Sequence, residues 1–140
     1  MKWYGIRSQY LDGFRGIIEE NGLADFVHVF EPVKDISKIY QDSDYFCLPS
    51  LFEGFPNALC EAMSCGLPVL CSKVCDNSYI VNDGENGFLF NPSNPIDIAS
   101  TIEKFLLLSY DEKKQIWNNF NKNRFSNVVH RNNNVMLSNY

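Results

Sequence analysis

Residues 50–66 read SLFEGFPNALCEAMSCG. YFCLP (Tyr45–Pro49) lies immediately before them and LPVLC (Leu67–Cys71) immediately after, two apolar runs of strand length. Between the runs, Pro56 suits the first turn of a helix, where its missing N–H costs nothing. Ala58, Leu59, Glu61, Ala62 and Met63 are good helix formers, and Gly66 is a natural stop. The spacing therefore predicts strand, loop, helix, strand, a parallel β-α-β unit. Sheets of this kind bind ligands outside the carboxyl ends of their strands, and the loop carrying Glu53 and Gly54 falls there. The helix start over Pro56–Leu59 aims unpaired backbone N–H groups and a partial positive charge at the same place, which suits a phosphate. Glu53 in the loop and Glu61 in the helix, with seven residues between them, frame that place. Carboxylates accept hydrogen bonds from hydroxyls, such as those of a sugar or a ribose. A phosphate cradle flanked by two hydroxyl acceptors describes a nucleotide-sugar site. The plainer reading of the same residues is a solvent-facing Glu61 and a Glu53 that decorates a turn.

Over Pro49–Leu70, PSLFEGFPNALCEAMSCGLPVL, the chain resembles the retaining glycosyltransferases of the GT-B fold, the group 1 (family 4) set marked by Glu, seven residues, Glu. The resemblance implies a three-layer, Rossmann-like α/β domain with a mostly parallel sheet. It makes residues 1–124 part of the C-terminal, nucleotide-sugar-binding domain, without its first strand and helix. Residues 125–140 are then a helix or tail that packs on an absent N-terminal acceptor domain, or a frayed terminus. The implied activity is retaining transfer from a nucleotide-diphosphate sugar to an acceptor, with bacterial cell-surface polysaccharide or glycoconjugate synthesis as its outlet. The implied location is cytoplasmic, with the full-length enzyme peripheral at the inner face of the membrane.

By the same resemblance, Glu53 is the catalytic-site residue that orients the donor sugar. Gly54, Phe55, Asn57, Ala58, Leu59 and Glu61 bind the donor, Glu61 through its ribose, and Glu31 and Val33 line the nucleobase. No cofactor and no metal are implied, because backbone amides and basic side chains replace the ion. The family's diphosphate-neutralising Arg and Lys belong to the opening segment, so the chain alone is expected to be inactive. Several places depart from the family pattern. Only Gly5 remains of a Gly-x-Gly turn, Glu31 stands where Gly is usual, and Cys75-Asp76 and Ser78-Tyr79 replace Gly-Gly and Pro-Glu. Two other readings stay open, a non-catalytic nucleotide-sugar-binding module and a GT-B-like sugar epimerase.

The chain has 140 residues, about one ordinary domain, and its 45% hydrophobic content is enough for a core. A net charge of −5 argues against a nucleic-acid partner, whose footprint is basic. There is no apolar run long enough to span a bilayer, and MKWYGIRSQY lacks the apolar centre of a signal peptide. Cys47, Cys60, Cys65, Cys71 and Cys75 form no C-x-x-C pair and read as buried small hydrophobes, with zinc as the unsupported alternative.

In chain order, Trp3–Gly5 reads as a strand end. Tyr10, Leu11, Phe14, Ile17 and Ile18 read as one face of a helix that Asn21-Gly22 ends. Phe26–Phe30 reads as a strand holding a structural His28. Asp35 is a cap for a short helix over Ile36–Gln41, with Ile36, Ile39 and Tyr40 inward. Asp42-Ser43-Asp44 spells a D-x-D that binds metal in another transferase fold, but it precedes its strand and reads as a turn. Phe88–Phe90 follows the turn Asp83–Gly87 as a strand. Asn94-Pro95-Ile96-Asp97 opens a helix with Ile98, Ile102, Phe105 and Leu106 buried. Ser109–Glu112 is a capping box for a last helix, with Ile116 and Phe120 inward.

Overall fold

The computed structural model describes residues 1–4 and 8–123. The chain divides into two units, Met1–Ile36 and the residues from Ser37 onward. In the first unit, β1 (Lys2–Tyr4) pairs in parallel with β2 (His28–Phe30), with Trp3 opposite Val29. The helix α1 (Ser8–Glu20) joins them, and Phe14 meets Trp3 edge-on with ring centroids 4.9 Å apart. The buried stripe of α1 is narrower than its sequence implies. Leu11 is buried and Phe14 and Ile18 are half-buried, whereas Tyr10 and Ile17 are exposed. Each exposed residue lies about 100° round the helix from its buried neighbour, beyond the width that two short strands can cover. His28 begins β2 and is exposed. Gly5 and residues 125–140, with the tail's apolar positions, lie outside the described residues.

The second unit begins with α2 (Ser37–Gln41) and alternates β3 (Phe46–Leu48), α3 (Asn57–Ser64), β4 (Val69–Ser72), α4 (Asn77–Ile80), β5 (Phe88–Phe90), α5 (Pro95–Leu106) and α6 (Tyr110–Asn123). Its strands form one parallel sheet in the order β3-β4-β5, with Cys47 opposite Leu70 and Cys71 opposite Leu89. All four residues of β4 are buried. Leu70 joins Phe88, Phe90, Phe105 and Ile116 in a core with α5 and α6. Val69 and Cys71 point to the other face by strand alternation, and α3 buries Leu59, Ala62 and Met63 against β3 and β4. The central strand is thus covered on both sides, which is why it is buried throughout, Ser72 included.

Local signals place most of these boundaries. Gly66 has φ 82° and ends α3 in a Schellman turn, in which Leu67 N–H donates to Ala62 O and Gly66 N–H to Met63 O. Pro56 sits at the cap, one residue before the helix, rather than inside its first turn. Asn94 Oδ1 accepts from the N–H groups of Ile96 (3.1 Å) and Asp97 (3.3 Å). Ser109 and Glu112 form the reciprocal capping box, which holds the Glu112 carboxyl below its ordinary pKa through the Ser109 hydroxyl and N–H. Asp42–Asp44 form the turn before the amino end of β3, where Asp42 N–H donates to Lys38 O. On α5, Leu106 is exposed and Thr101 is buried instead, because Thr101 shares the Ile98–Phe105 face and Leu106 lies about 100° past it. Ile116 is buried, and the side chain of Phe120 is outside the described set.

Candidate functional site

β3 ends at Leu48, and the loop that follows rises from the carboxyl edge of the sheet. Ser50 Oγ donates to Glu53 Oε1, so the loop folds back on its own carboxylate, which is half-buried. Leu51, Phe52 and Phe55 are exposed, and Pro56 is buried. Gly54 has open space where a Cβ would stand, so packing does not require its glycine. Asn57 N–H donates to Phe55 O at 2.9 Å and Cys60 N–H to Pro56 O at 3.1 Å. No side chain caps α3, and the N–H groups of Ala58 and Leu59 meet no acceptor among the described residues. Open amides at a helix start carry the positive end of the helix dipole, an arrangement that suits an anion. The Leu59 side chain is fully buried, so only its backbone faces such a ligand.

Glu61 lies one turn along α3 and is half-buried. It shares a helix stripe with Ala58 and Cys65. Tyr40 of α2 packs against that stripe, its hydroxyl 3.4 Å from Ala58 O. Burial, then the Glu61 charge, pushes the Tyr40 phenol up to about 12. The helix therefore brings Ala58 and Glu61 to one face, with the Leu59 side chain turned into the core, while Glu53 stands on the loop with Ser50. No hydrogen bond joins the two glutamates among the described residues. Glu31 and Val33 follow β2 in the first unit and are exposed.

The carboxyl edge continues at β4 and β5. Ser72 Oγ donates to Leu48 O at 3.2 Å, and Lys73 N–H to Phe90 O at 2.8 Å. A groove of about 560 Å³ runs here, lined by Leu51, Lys73, Val74, Phe90, Asn91 and Ser93 among others. It shares Leu51 with the Glu53 loop but includes neither glutamate. The turn after β4 holds Cys75 at φ 46°, in the left-handed region. Asn77 is fully buried; its Nδ2 donates to Ser72 O at 2.8 Å, and its Oδ1 meets no donor among the described residues. Sequence reading passed over Ser50 and Asn77, whose roles come from folded contacts rather than from a motif.

The cysteines are only partly what their spacing suggested. Cys71 is buried and Cys47 and Cys60 half-buried, but Cys65 and Cys75 are exposed, at the end of α3 and in the turn after β4. Burial pushes the thiols of Cys47 and Cys60 up to about 11 and that of Cys71 to about 12. Among the described residues, no three His, Cys, Asp or Glu side chains are grouped to hold a metal, and no helix is long and apolar enough to cross a membrane.

The sequence matches the family model "Glycosyl transferases group 1" over residues 5–124. It is 39% identical over 94 residues to the UDP-Gal:alpha-D-GlcNAc-diphosphoundecaprenol alpha-1,3-galactosyltransferase of Escherichia coli, covering 62% of this chain and 24% of that protein. The structure resembles that of Anabaena HepE in complex with UDP-glucose, with a TM-score of 0.77 and 26% identity over 85% of this chain and 34% of that one. It also shares its fold with the C-terminal domain of a group 1 glycosyl transferase from Francisella tularensis, with a TM-score of 0.70 and 21% identity over 93% of this chain and 67% of that one. The chain spans about a quarter of the length of the Escherichia coli relative.

Proposed function

The chain belongs to the group 1 glycosyltransferases, and from that premise we propose that it is the donor-binding part of a retaining, metal-independent transferase that uses a nucleotide-diphosphate sugar. The observation that carries this reading is the uncapped start of α3, with the open amides of Ala58 and Leu59, directly after a loop that presents Glu53. Those amides receive the diphosphate and stabilise the charge that develops as it leaves. Glu53, with one oxygen fixed by Ser50, accepts hydroxyls of the donor sugar. Glu61 accepts those of the ribose, and Gly54 and Phe55 let the sugar approach. The acceptor is held by a domain outside this chain, and the pathway is cell-surface glycan synthesis on the cytoplasmic side of the membrane.

Calorimetric titration of the chain with UDP and UDP-glucose tests the assignment. Glu61→Ala should lose about 1.5–3 kcal/mol of affinity for both ligands, the value of a hydrogen bond to a charged acceptor. Glu53→Gln should weaken UDP-glucose more than UDP, because UDP carries no sugar. A folded Glu61→Ala chain with unchanged UDP affinity would falsify the ribose assignment.

A further inference from the structure

Tyr40 is buried in α2, and its ring meets Phe46 of β3 edge-on, with centroids 5.7 Å apart. Its hydroxyl finds Ala58 O at 3.4 Å, longer than an ordinary O–H···O bond. A carbonyl inside a helix already accepts from the amide four residues on, so the phenol shares an occupied acceptor. Buried donors are rarely left so weakly partnered. The next acceptor along the same stripe is Glu61, three residues beyond Ala58. Helical side chains lean toward the helix start, so a carboxylate at position 61 extends back over the turn that Tyr40 touches. Burial first, then the Glu61 charge, pushes the phenol up to about 12. The phenol is therefore a donor throughout the neutral range.

We propose that Tyr40 is a positioning residue of the donor site, its hydroxyl passing from Ala58 O to the Glu61 carboxylate when a nucleotide binds and fixing that carboxylate for the ribose hydroxyls. A carboxylate has about four lone-pair sites, enough for the phenol and two ribose hydroxyls together. The inference rests on the ribose reading of Glu61, and its test keeps the two apart.

The 140-residue chain is titrated with UDP and with an analogue lacking both ribose hydroxyls, as wild type, Tyr40→Phe, Glu61→Gln and the double variant. The wild type should prefer UDP. Tyr40→Phe should reduce that preference roughly 3–10-fold while leaving affinity for the analogue unchanged. Once Glu61 is glutamine, Tyr40→Phe should have no further effect. Equal loss of both ligands in Tyr40→Phe, or no loss of either, overturns the positioning role and leaves the ribose reading standing. A wild-type chain that binds the two ligands alike, or binds neither, overturns the ribose reading and the positioning role with it.

Discussion

Cys75 holds φ 46°, a left-handed conformation that costs a residue with a Cβ roughly 1–2 kcal/mol. Glycine removes that strain but loses more chain entropy on folding, about 0.5–1 kcal/mol. Cys75→Gly should therefore stabilise the chain by about 0.5–1 kcal/mol, read as a higher denaturant midpoint at unchanged slope. A lower midpoint would mean that the cysteine side chain contributes contacts that outweigh its backbone. One strained position is within what the strongly buried β4 and β5 can hold in place.

At the scale of elements, β4 and the turn leading into β5 meet closely at Gly87. A Cβ at Gly87 would stand 2.7 Å from Val69 O, 2.8 Å from Val69 Cγ2 and 2.9 Å from Val81 Cγ1. One of those atoms is backbone of the central strand, which cannot yield without disturbing the pairing on both sides. Around it, Asn86 Oδ1 accepts from Asn82 N–H at 2.7 Å, and Asn86 Nδ2 donates to Ile80 O at 3.1 Å. Gly87→Ala should cost about 1–3 kcal/mol, the usual range for overpacking. Gly54→Ala meets nothing within 4 Å and should leave the melting temperature unchanged. Equal melting temperatures for the two variants would show that the Val69 contact is not tight in solution.

For the whole molecule, buried acids set the alkaline limit. The thiols of Cys47, Cys60 and Cys71 rise from 9.0 to about 11, 11 and 12, and the Tyr40 phenol from 10.0 to about 12. Each folded value lies above the unfolded one, so each group's contribution is complete below about pH 9 and is lost as pH rises toward 12. Stability should be flat through neutrality and fall above about pH 9. Thiol reagents at pH 7 should modify Cys65 and Cys75 in the native chain and the other three only on unfolding. Five equally fast thiols in the native chain would contradict the burial of Cys71. The chain is also a fraction of the length of its relatives, and we expect it to transfer no sugar by itself. Transfer needs a surface that holds the attacking hydroxyl in line and excludes water, and none of the described residues is assigned that role. Acceptor-dependent product at an ordinary enzymatic rate from the purified chain would show the site to be complete.

The sequence by itself determined the β-α-β frame of the second unit, since its punctuation is local. Gly66, Asn94 and the Ser109–Glu112 box act through bonds within a few residues and need no distant partner. It also determined the family, because Glu53, Glu61 and the residues between them form one contiguous run. What only the tertiary structure decided depends on which side of an element finds a neighbour. The exposure of Tyr10, Ile17 and Leu106, the burial of Thr101 and the split among the cysteines follow from where strands and helices happen to cover a face. The hold of Ser50 on Glu53 needed the loop's folded path, and the contact of the Tyr40 hydroxyl with Ala58 O joins residues far apart in the chain. Hydrophobic periodicity is indifferent to a rotation of one residue, whereas packing is not, and a hydrogen bond between elements has no signature in either segment alone.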